Sequence, residues 1–126
     1  MLEIYRCGGC GNFVVFLSEK TACTPKCCGE EMKALIPNTT DAAGEKHLPV
    51  ISVEGNQVKV HVGSVEHPMA EEHYIEMILI ETTEGFAKKD LKPGAAPEAT
   101  FALAEGEKLV AAYAYCNLHG LWKTEA

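Results

Sequence analysis

The chain has 126 residues, of which 47% are hydrophobic and 23% are charged, a composition typical of a globular protein with a packed core. Its net charge of −7 argues against nucleic acid as a partner, because phosphates require a basic surface. No apolar run approaches the roughly 18 residues of a membrane span, and the N-terminus lacks the pattern of an export signal. We therefore expect a cytoplasmic protein with no membrane partner.

The first 36 residues contain five of the six cysteines, together with short strand-like runs at Leu2–Tyr5 and Phe13–Leu17. An even number of cysteines permits disulfides. The lack of an export signal and the crowding of five thiols between Cys7 and Cys28 favour metal binding instead. A segment this short cannot bury enough apolar surface to fold unaided, so we predict a small domain over residues 1–36 that a metal ion holds together.

Two cysteine pairs form the first chemical motif, "CGGC" and the vicinal pair in "KCCGE". A CxxC turn presents two thiolates to one ion. Adjacent cysteines on a flat strand point to opposite faces, so the backbone must bend if both bind one ion, and Gly29 gives it the freedom to do so. Four thiolates suit iron or zinc, and the motif does not choose between them. We interpret Cys23 as a surplus thiol, although it could replace a neighbour as ligand. The predicted ligands are Cys7, Cys10, Cys27 and Cys28.

Beyond a turn-rich stretch, "PNTTDAAGEK", the apolar residues mostly recur with a period of two. In "QVKVHV" the valines face one way and Lys59 and His61 the other, as in a strand with one buried face. "HYIEMILI" alternates in the same way, and we predict a strand rather than a helix for "EKLVAAYAYC". Turns rich in Gly, Pro and acidic residues separate these runs, so residues 37–126 are predicted to form a β-sandwich.

Four of the five histidines lie at the edges of predicted elements: we expect His47 to end a loop and His73 to open a strand. The fifth, His61, fits an ordinary surface position. Single histidines are more often structural than metal-binding. Cys116 and His119 nevertheless stand three residues apart, so one tight loop can offer both donors. Several imidazoles and one thiolate suit a redox-active iron or copper better than magnesium or calcium.

The segments "EKH", "HPM" followed by "HY", and "CNLHGLW" together resemble the superoxide reductase family, specifically its two-iron members, the desulfoferrodoxins. The N-terminal cysteine motif is similar to the desulforedoxin-like domain of the same proteins. The likeness covers essentially the whole chain. It implies an all-β protein, with a desulforedoxin-like four-cysteine iron domain over residues 1–36 and an immunoglobulin-like catalytic β-sandwich over residues 37–126.

The resemblance also implies two metal centres. In the catalytic centre, four histidines would surround ferrous iron in an approximate plane, with a cysteine thiolate on the axis and the opposite position open. In the second centre, the four N-terminal cysteines would hold another iron, with zinc as the alternative; Cys23 departs from the family pattern. The implied ligands of the catalytic iron are His47, His67, His73, Cys116 and His119.

The implied activity is that of a superoxide reductase, which reduces superoxide by one electron to hydrogen peroxide and is itself reduced by a rubredoxin-type donor. The family also forms homodimers. Lys46 would attract superoxide locally, because the distant negative charges are screened by salt. Glu45 matches a glutamate that can occupy the open position of the oxidised iron. Without the resemblance, both would be interpreted as solvated loop charges.

Two other classes remain open at this stage. One is a non-enzymatic electron-transfer or metal-binding protein with structural zinc on the four cysteines. It would lack an open coordination position, so azide or cyanide would leave the spectrum of the oxidised protein unchanged. The other is a dioxygen-using non-haem iron enzyme, a class that commonly uses two histidines and a carboxylate rather than four histidines and a thiolate.

Overall fold

The structure, a computed structural model, describes residues 2–126. The chain divides into two compact units, the first ending at Ile36 and the second comprising Pro37–Ala126. Strands make up almost all the regular structure, so the prediction of an all-β fold is confirmed. No helix within residues 2–126 has the length and apolar character needed to cross a membrane.

The first unit consists of a three-stranded antiparallel sheet and a separate two-stranded hairpin. Its small core contains Tyr5 and Met32, which are 5% and 4% exposed, and the ring of Phe16 packs edge-on against Tyr5. A core of this size stabilises little by itself. The sheet contains β1 (Ile4–Arg6), β2 (Phe13–Val15) and β5 (Lys33–Ala34), and the hairpin contains β3 (Lys26–Cys27) and β4 (Glu30–Glu31).

The second unit is an antiparallel β-sandwich with sheets of three and four strands, ordered β10-β7-β6 and β12-β11-β8-β9. Seven strands divided in this way are typical of immunoglobulin-like sandwiches. The elements are α1 (Gly44–His47), β6 (Pro49–Glu54), β7 (Gln57–Val62), β8 (Ile75–Thr82), β9 (Gly85–Asp90), β10 (Glu98–Ala102), β11 (Leu109–Cys116) and β12 (Gly120–Glu125).

One hydrophobic core joins the two sheets of the sandwich. The three valines of β7 are completely buried and alternate with exposed or half-buried polar residues, which confirms the predicted strand phase. β11 forms as a strand, as predicted, and pairs on its two sides with β12 and β8. This central strand carries Cys116, also completely buried, to one end of the sandwich.

Two histidines occupy backbone positions that differ from the sequence-based expectation. His47 ends the short helix α1 rather than a loop. His73 does not open β8, which begins at Ile75. The reason is local: the Tyr74 N–H donates to the side-chain oxygen of Asn117 at 3.0 Å instead of to a neighbouring strand.

Replacing Ile78 with alanine tests the sandwich core. Ile78 is completely buried, so Ile78→Ala is expected to lower the free energy of unfolding by about 2–5 kcal/mol through lost burial and a residual cavity. Val53 is 59% exposed on β6, and Val53→Ala is expected to change it by less than about 0.5 kcal/mol. Urea unfolding followed by the fluorescence of Trp122, the single tryptophan, measures both; equal losses would contradict this account of the core.

Candidate metal centres

Four cysteine sulfurs converge in the first unit, and we call them the four-cysteine cluster. Their Sγ atoms all lie within 4.8 Å of one another, with Cys10 and Cys27 at 3.5 Å and Cys27 and Cys28 at 4.0 Å. The fourth member is Cys7. Cys23 is exposed and stands outside this group.

Two tight turns bring these sulfurs together. In the first, the backbone N–H groups of Gly9 and Cys10 donate to the Cys7 sulfur at 3.3 and 3.4 Å. In the second, Cys28 and Gly29 form the two-residue turn of the β3–β4 hairpin, with φ angles of 53° and 76°, as a type I′ turn requires. The backbone therefore bends at the vicinal pair, which is what the sequence predicted for a shared ion.

The thiols of this cluster have opposed proton affinities. The N–H groups of Cys10 and Gly9 lower the pKa of Cys7 to about 6, whereas hydrogen bonds with the thiols of Cys10 and Cys7 raise the pKa of Cys28 to about 12. Four neighbouring thiolates repel one another, so they do not all ionise without a cation between them. A tetrahedral metal ion removes this conflict, and the donor set fits iron or zinc.

The second unit brings four imidazoles and one thiol together, and we call them the histidine–cysteine cluster. Donor atoms of His47, His67, His73 and Cys116 all lie within 4.8 Å of one another. The Nε2 atom of His47 is 3.3 Å from Nε2 of His67 and 3.0 Å from Nδ1 of His119, and this Nδ1 is 4.0 Å from the Cys116 sulfur. The five predicted ligands are thus neighbours in space.

Backbone carbonyls orient two of the rings. The Nδ1 atom of His47 lies 2.7 Å from the Ala43 carbonyl, and that of His67 lies 2.7 Å from the Pro68 carbonyl. A proton on each Nδ1, donated to the carbonyl, leaves the Nε2 lone pair free to face the cluster. His119 presents its Nδ1 atom to the cluster instead.

Trp122 supports the cluster from one side, a role that the sequence analysis missed. Its ring stacks on His47 with centroids 4.9 Å apart and an interplanar angle of 26°. Its Nε1–H donates to the carbonyl of His119 at 3.1 Å. The sequence does hold one indication of this role, because the single tryptophan stands three residues after a candidate ligand, His119.

Burial keeps three of the imidazoles neutral, those of His47, His67 and His73. Burial, followed by neighbouring imidazoles, lowers the pKa of His67 to about 4, and burial is also the main cause of the lowered pKa values of His47 and His73. Burial raises the pKa of Cys116, whereas hydrogen bonds from the N–H groups of Leu118 and His119 partly lower it. A metal cation reverses the effect of burial, because it binds the deprotonated thiolate.

The donor set passes a further test for a metal site. Within the described part of the chain, the Nε2 atom of His73 is buried and has no hydrogen-bond partner, which is costly for a polar atom unless another ligand satisfies it. Neutral imidazoles and a thiolate suit iron and other transition metals rather than magnesium or calcium. Iron therefore fits the residues that form this cluster.

Lys46 and Glu45 lie on α1 immediately before His47, and both are exposed. The pKa of His73 is lowered first by burial and then by neighbouring charges, one of which is the Lys46 ammonium. Lys46 and His67 also line the same surface pocket, of about 610 Å³. The lysine charge therefore lies at the surface beside one member of the cluster, His67.

The turn that follows β7 fixes the backbone of Glu45, a second feature that the sequence analysis missed. The Glu45 carbonyl accepts hydrogen bonds from the N–H of Val65 at 2.8 Å and from the Ser64 hydroxyl at 3.2 Å. A Cβ atom on Gly63 would lie only 2.6 Å from the same carbonyl oxygen, so only glycine fits here. His61 stays outside the cluster, with its Nδ1 3.0 Å from the Gly63 carbonyl.

Comparison with known proteins identifies the family. A sequence model described as desulfoferrodoxin matches residues 39–125. The chain belongs to the desulfoferrodoxin family. The desulfoferrodoxin of Nitratidesulfovibrio vulgaris is 51% identical over 124 residues, which cover 98% of this chain and 96% of the relative. The desulfoferrodoxin homolog of Archaeoglobus fulgidus is 45% identical, and the match covers 98% of this chain and 97% of the relative.

Solved structures extend the likeness to three dimensions. The superoxide reductase of Treponema pallidum has a TM-score of 0.86 and 39% sequence identity, with 99% of each chain covered. The superoxide reductase (1Fe-SOR) of Giardia intestinalis has a TM-score of 0.56 and 39% sequence identity. This match covers 65% of the present chain and 97% of the Giardia chain. Both of these solved structures are named superoxide reductases.

We expect bound iron to quench the fluorescence of Trp122 in this protein. The indole stacks on His47, so an iron bound to that imidazole would lie close enough to accept energy or an electron from the excited ring. Zinc, which has no redox chemistry, should quench much less. Titration of the metal-free protein with ferrous iron and with zinc measures the difference.

The variant Cys10→Ser provides the matched control for this titration. It disrupts the four-cysteine cluster and leaves the histidine–cysteine cluster intact, so quenching by iron should persist. Equal fluorescence with iron and with zinc would argue against iron binding beside Trp122.

Proposed function

We propose that this protein is a superoxide reductase, which converts superoxide, one electron and two protons into hydrogen peroxide. The observation that supports the proposal is the convergence of four imidazoles and one buried thiol on a single point. The names of the structural relatives support the same activity. A non-enzymatic zinc protein is not favoured.

The residues that would hold the catalytic iron are those of the histidine–cysteine cluster, His47, His67, His73, Cys116 and His119. When bound, this iron supplies the electron that superoxide accepts. The chain's own contribution is to keep the imidazoles of His47, His67 and His73 neutral by burial and to bury the Cys116 sulfur completely. The N–H groups of Leu118 and His119 favour its thiolate form, which donates electron density to a bound metal.

Lys46 would draw superoxide into the pocket that it shares with His67. The net charge of −7 repels an anion at long range, but charges more than about 8 Å away are largely screened at physiological salt. The nearby ammonium group would therefore dominate. Glu45, exposed beside it, is assigned as an additional ligand in the oxidised protein on the strength of the family resemblance.

The four-cysteine cluster would hold a second iron, with zinc as the alternative, through Cys7, Cys10, Cys27 and Cys28. We further propose a rubredoxin-type protein as the electron donor, a homodimer as the assembly and the cytoplasm as the compartment. The first two follow from the family resemblance. The last is supported by the six free cysteines, since thiols stay reduced in the cytosol.

Pulse radiolysis of the reduced, iron-loaded protein with stoichiometric superoxide tests the activity. We expect oxidation of the histidine-bound iron, one hydrogen peroxide per superoxide and no release of oxygen. Release of one oxygen molecule for every two superoxide ions would indicate dismutation and contradict the proposal, as would the absence of any reaction.

Replacing Lys46 with alanine tests electrostatic attraction. Lys46→Ala should slow the bimolecular reaction with superoxide by roughly tenfold, which is the smallest effect expected of a charged cleft on an association rate. The rate constant of the variant should also depend less on salt concentration. Lys108 is an exposed lysine that does not line this pocket, and Lys108→Ala removes the same charge. Equal second-order rate constants for the two variants would eliminate a local role for Lys46.

A further inference from the structure

Asn117 joins two segments of the chain that carry ligands of the histidine–cysteine cluster. It directly follows Cys116, and its side chain binds the backbone on both sides of His73. The Oδ1 atom accepts from the Tyr74 N–H at 3.0 Å, and the Nδ2 group donates to the Glu72 carbonyl at 3.1 Å. The Asn117 N–H also donates to the Tyr74 carbonyl at 3.2 Å. Three hydrogen bonds thus hold the His73 segment against the Cys116–His119 turn.

The imidazole of His73 needs this support more than its neighbours do. His47 and His67 are each oriented by a backbone carbonyl at Nδ1, whereas no such contact orients His73 within residues 2–126, where its buried Nε2 has no hydrogen-bond partner. Its backbone exchanges two hydrogen bonds with Ala70, at 3.0 and 3.1 Å. Apart from edge-on packing against the rings of His67 and His119, this ring is therefore positioned by its backbone, which Ala70 and Asn117 hold from two sides.

We propose that Asn117 is a positioning residue that fixes His73 as a ligand of the metal in the histidine–cysteine cluster. The inference rests on the proposed function, because it concerns the metal site that performs it. A carboxamide suits the task, since it offers an acceptor and a donor side by side, and the two flanking peptide groups require one of each. Alanine satisfies neither peptide group, and aspartate satisfies only the Tyr74 N–H.

Iron binding by the full-length Asn117→Ala variant tests the inference. The protein is loaded with ⁵⁷Fe without oxygen, and transfer of ferrous iron to a chelator is measured. Mössbauer spectra follow the two sites separately, because four-sulfur iron and nitrogen-rich iron have different isomer shifts. We expect iron binding at the histidine–cysteine cluster to weaken by about 10–100-fold, as when other residues that orient metal ligands are replaced. Binding at the four-cysteine cluster should not change.

Glu107→Ala is the matched control. Glu107 also makes two side-chain hydrogen bonds, since its carboxylate accepts from the Thr82 hydroxyl of β8 and from the Ala104 N–H of its own turn. Thr82 is the last residue of β8, whereas His73 lies just before its first. Loss of Glu107 should lower the stability of the sandwich and leave iron binding unchanged. Equal weakening of iron binding in the two variants would assign Asn117 a merely structural role and overturn the inference.

Asn117→Asp provides a second variant if Asn117→Ala does not fold. It keeps the acceptor for Tyr74 and loses the donor to Glu72, so iron should leave its cluster faster than in the wild-type protein, despite the added negative charge. Wild-type rates in this variant would overturn the inference while the proposed function stands. Failure of the wild-type protein itself to bind iron at the histidine–cysteine cluster would overturn both.

Discussion

The organisation of the second unit depends on one electrostatic constraint, the close approach of four imidazoles and a buried thiol. Ring nitrogens 3.0 and 3.3 Å apart leave no room for a proton on each, and burial lowers the pKa values of His47, His67 and His73. The same burial raises the pKa of Cys116. A shared metal cation satisfies every donor at once, because it accepts the lone pairs of neutral imidazoles and stabilises the thiolate.

The β-sandwich brings these donors together from distant parts of the chain. β11 delivers the sulfur at its completely buried end, and the turn after it supplies His119. The short helix α1 supplies His47, while the connection between β7 and β8 supplies His67 and His73. Contacts outside the donor set then fix the rings, namely backbone carbonyls, the stacked indole of Trp122 and the carboxamide of Asn117. A rigid arrangement of this kind keeps donors in place before a metal binds.

The donor residues were expected beforehand, the four cysteines from their spacing and the other five from the family resemblance, whereas the residues that support them were not. The cysteine spacing and the need for a bend beside Gly29 followed from local chemistry, and the alternation of valines located β7. The supporting residues were missed because their roles arise from tertiary contacts. Gly63 matters only because it packs against the Glu45 carbonyl, and Asn117 only because its turn meets residues 72–74. The start of β8 was misplaced for the same reason, since a side chain takes the hydrogen bond that a strand would have used.

The most direct test is a crystal structure of the reduced, iron-loaded protein, with anomalous diffraction at the iron edge to locate the metal. The account predicts iron in the histidine–cysteine cluster, bonded to the Cys116 sulfur and to a nitrogen of each of the four imidazoles, with one coordination position free of protein atoms. Iron found elsewhere in the second unit, a Cys116 sulfur directed away from it, or a protein group filling the last position in the reduced state would contradict the account.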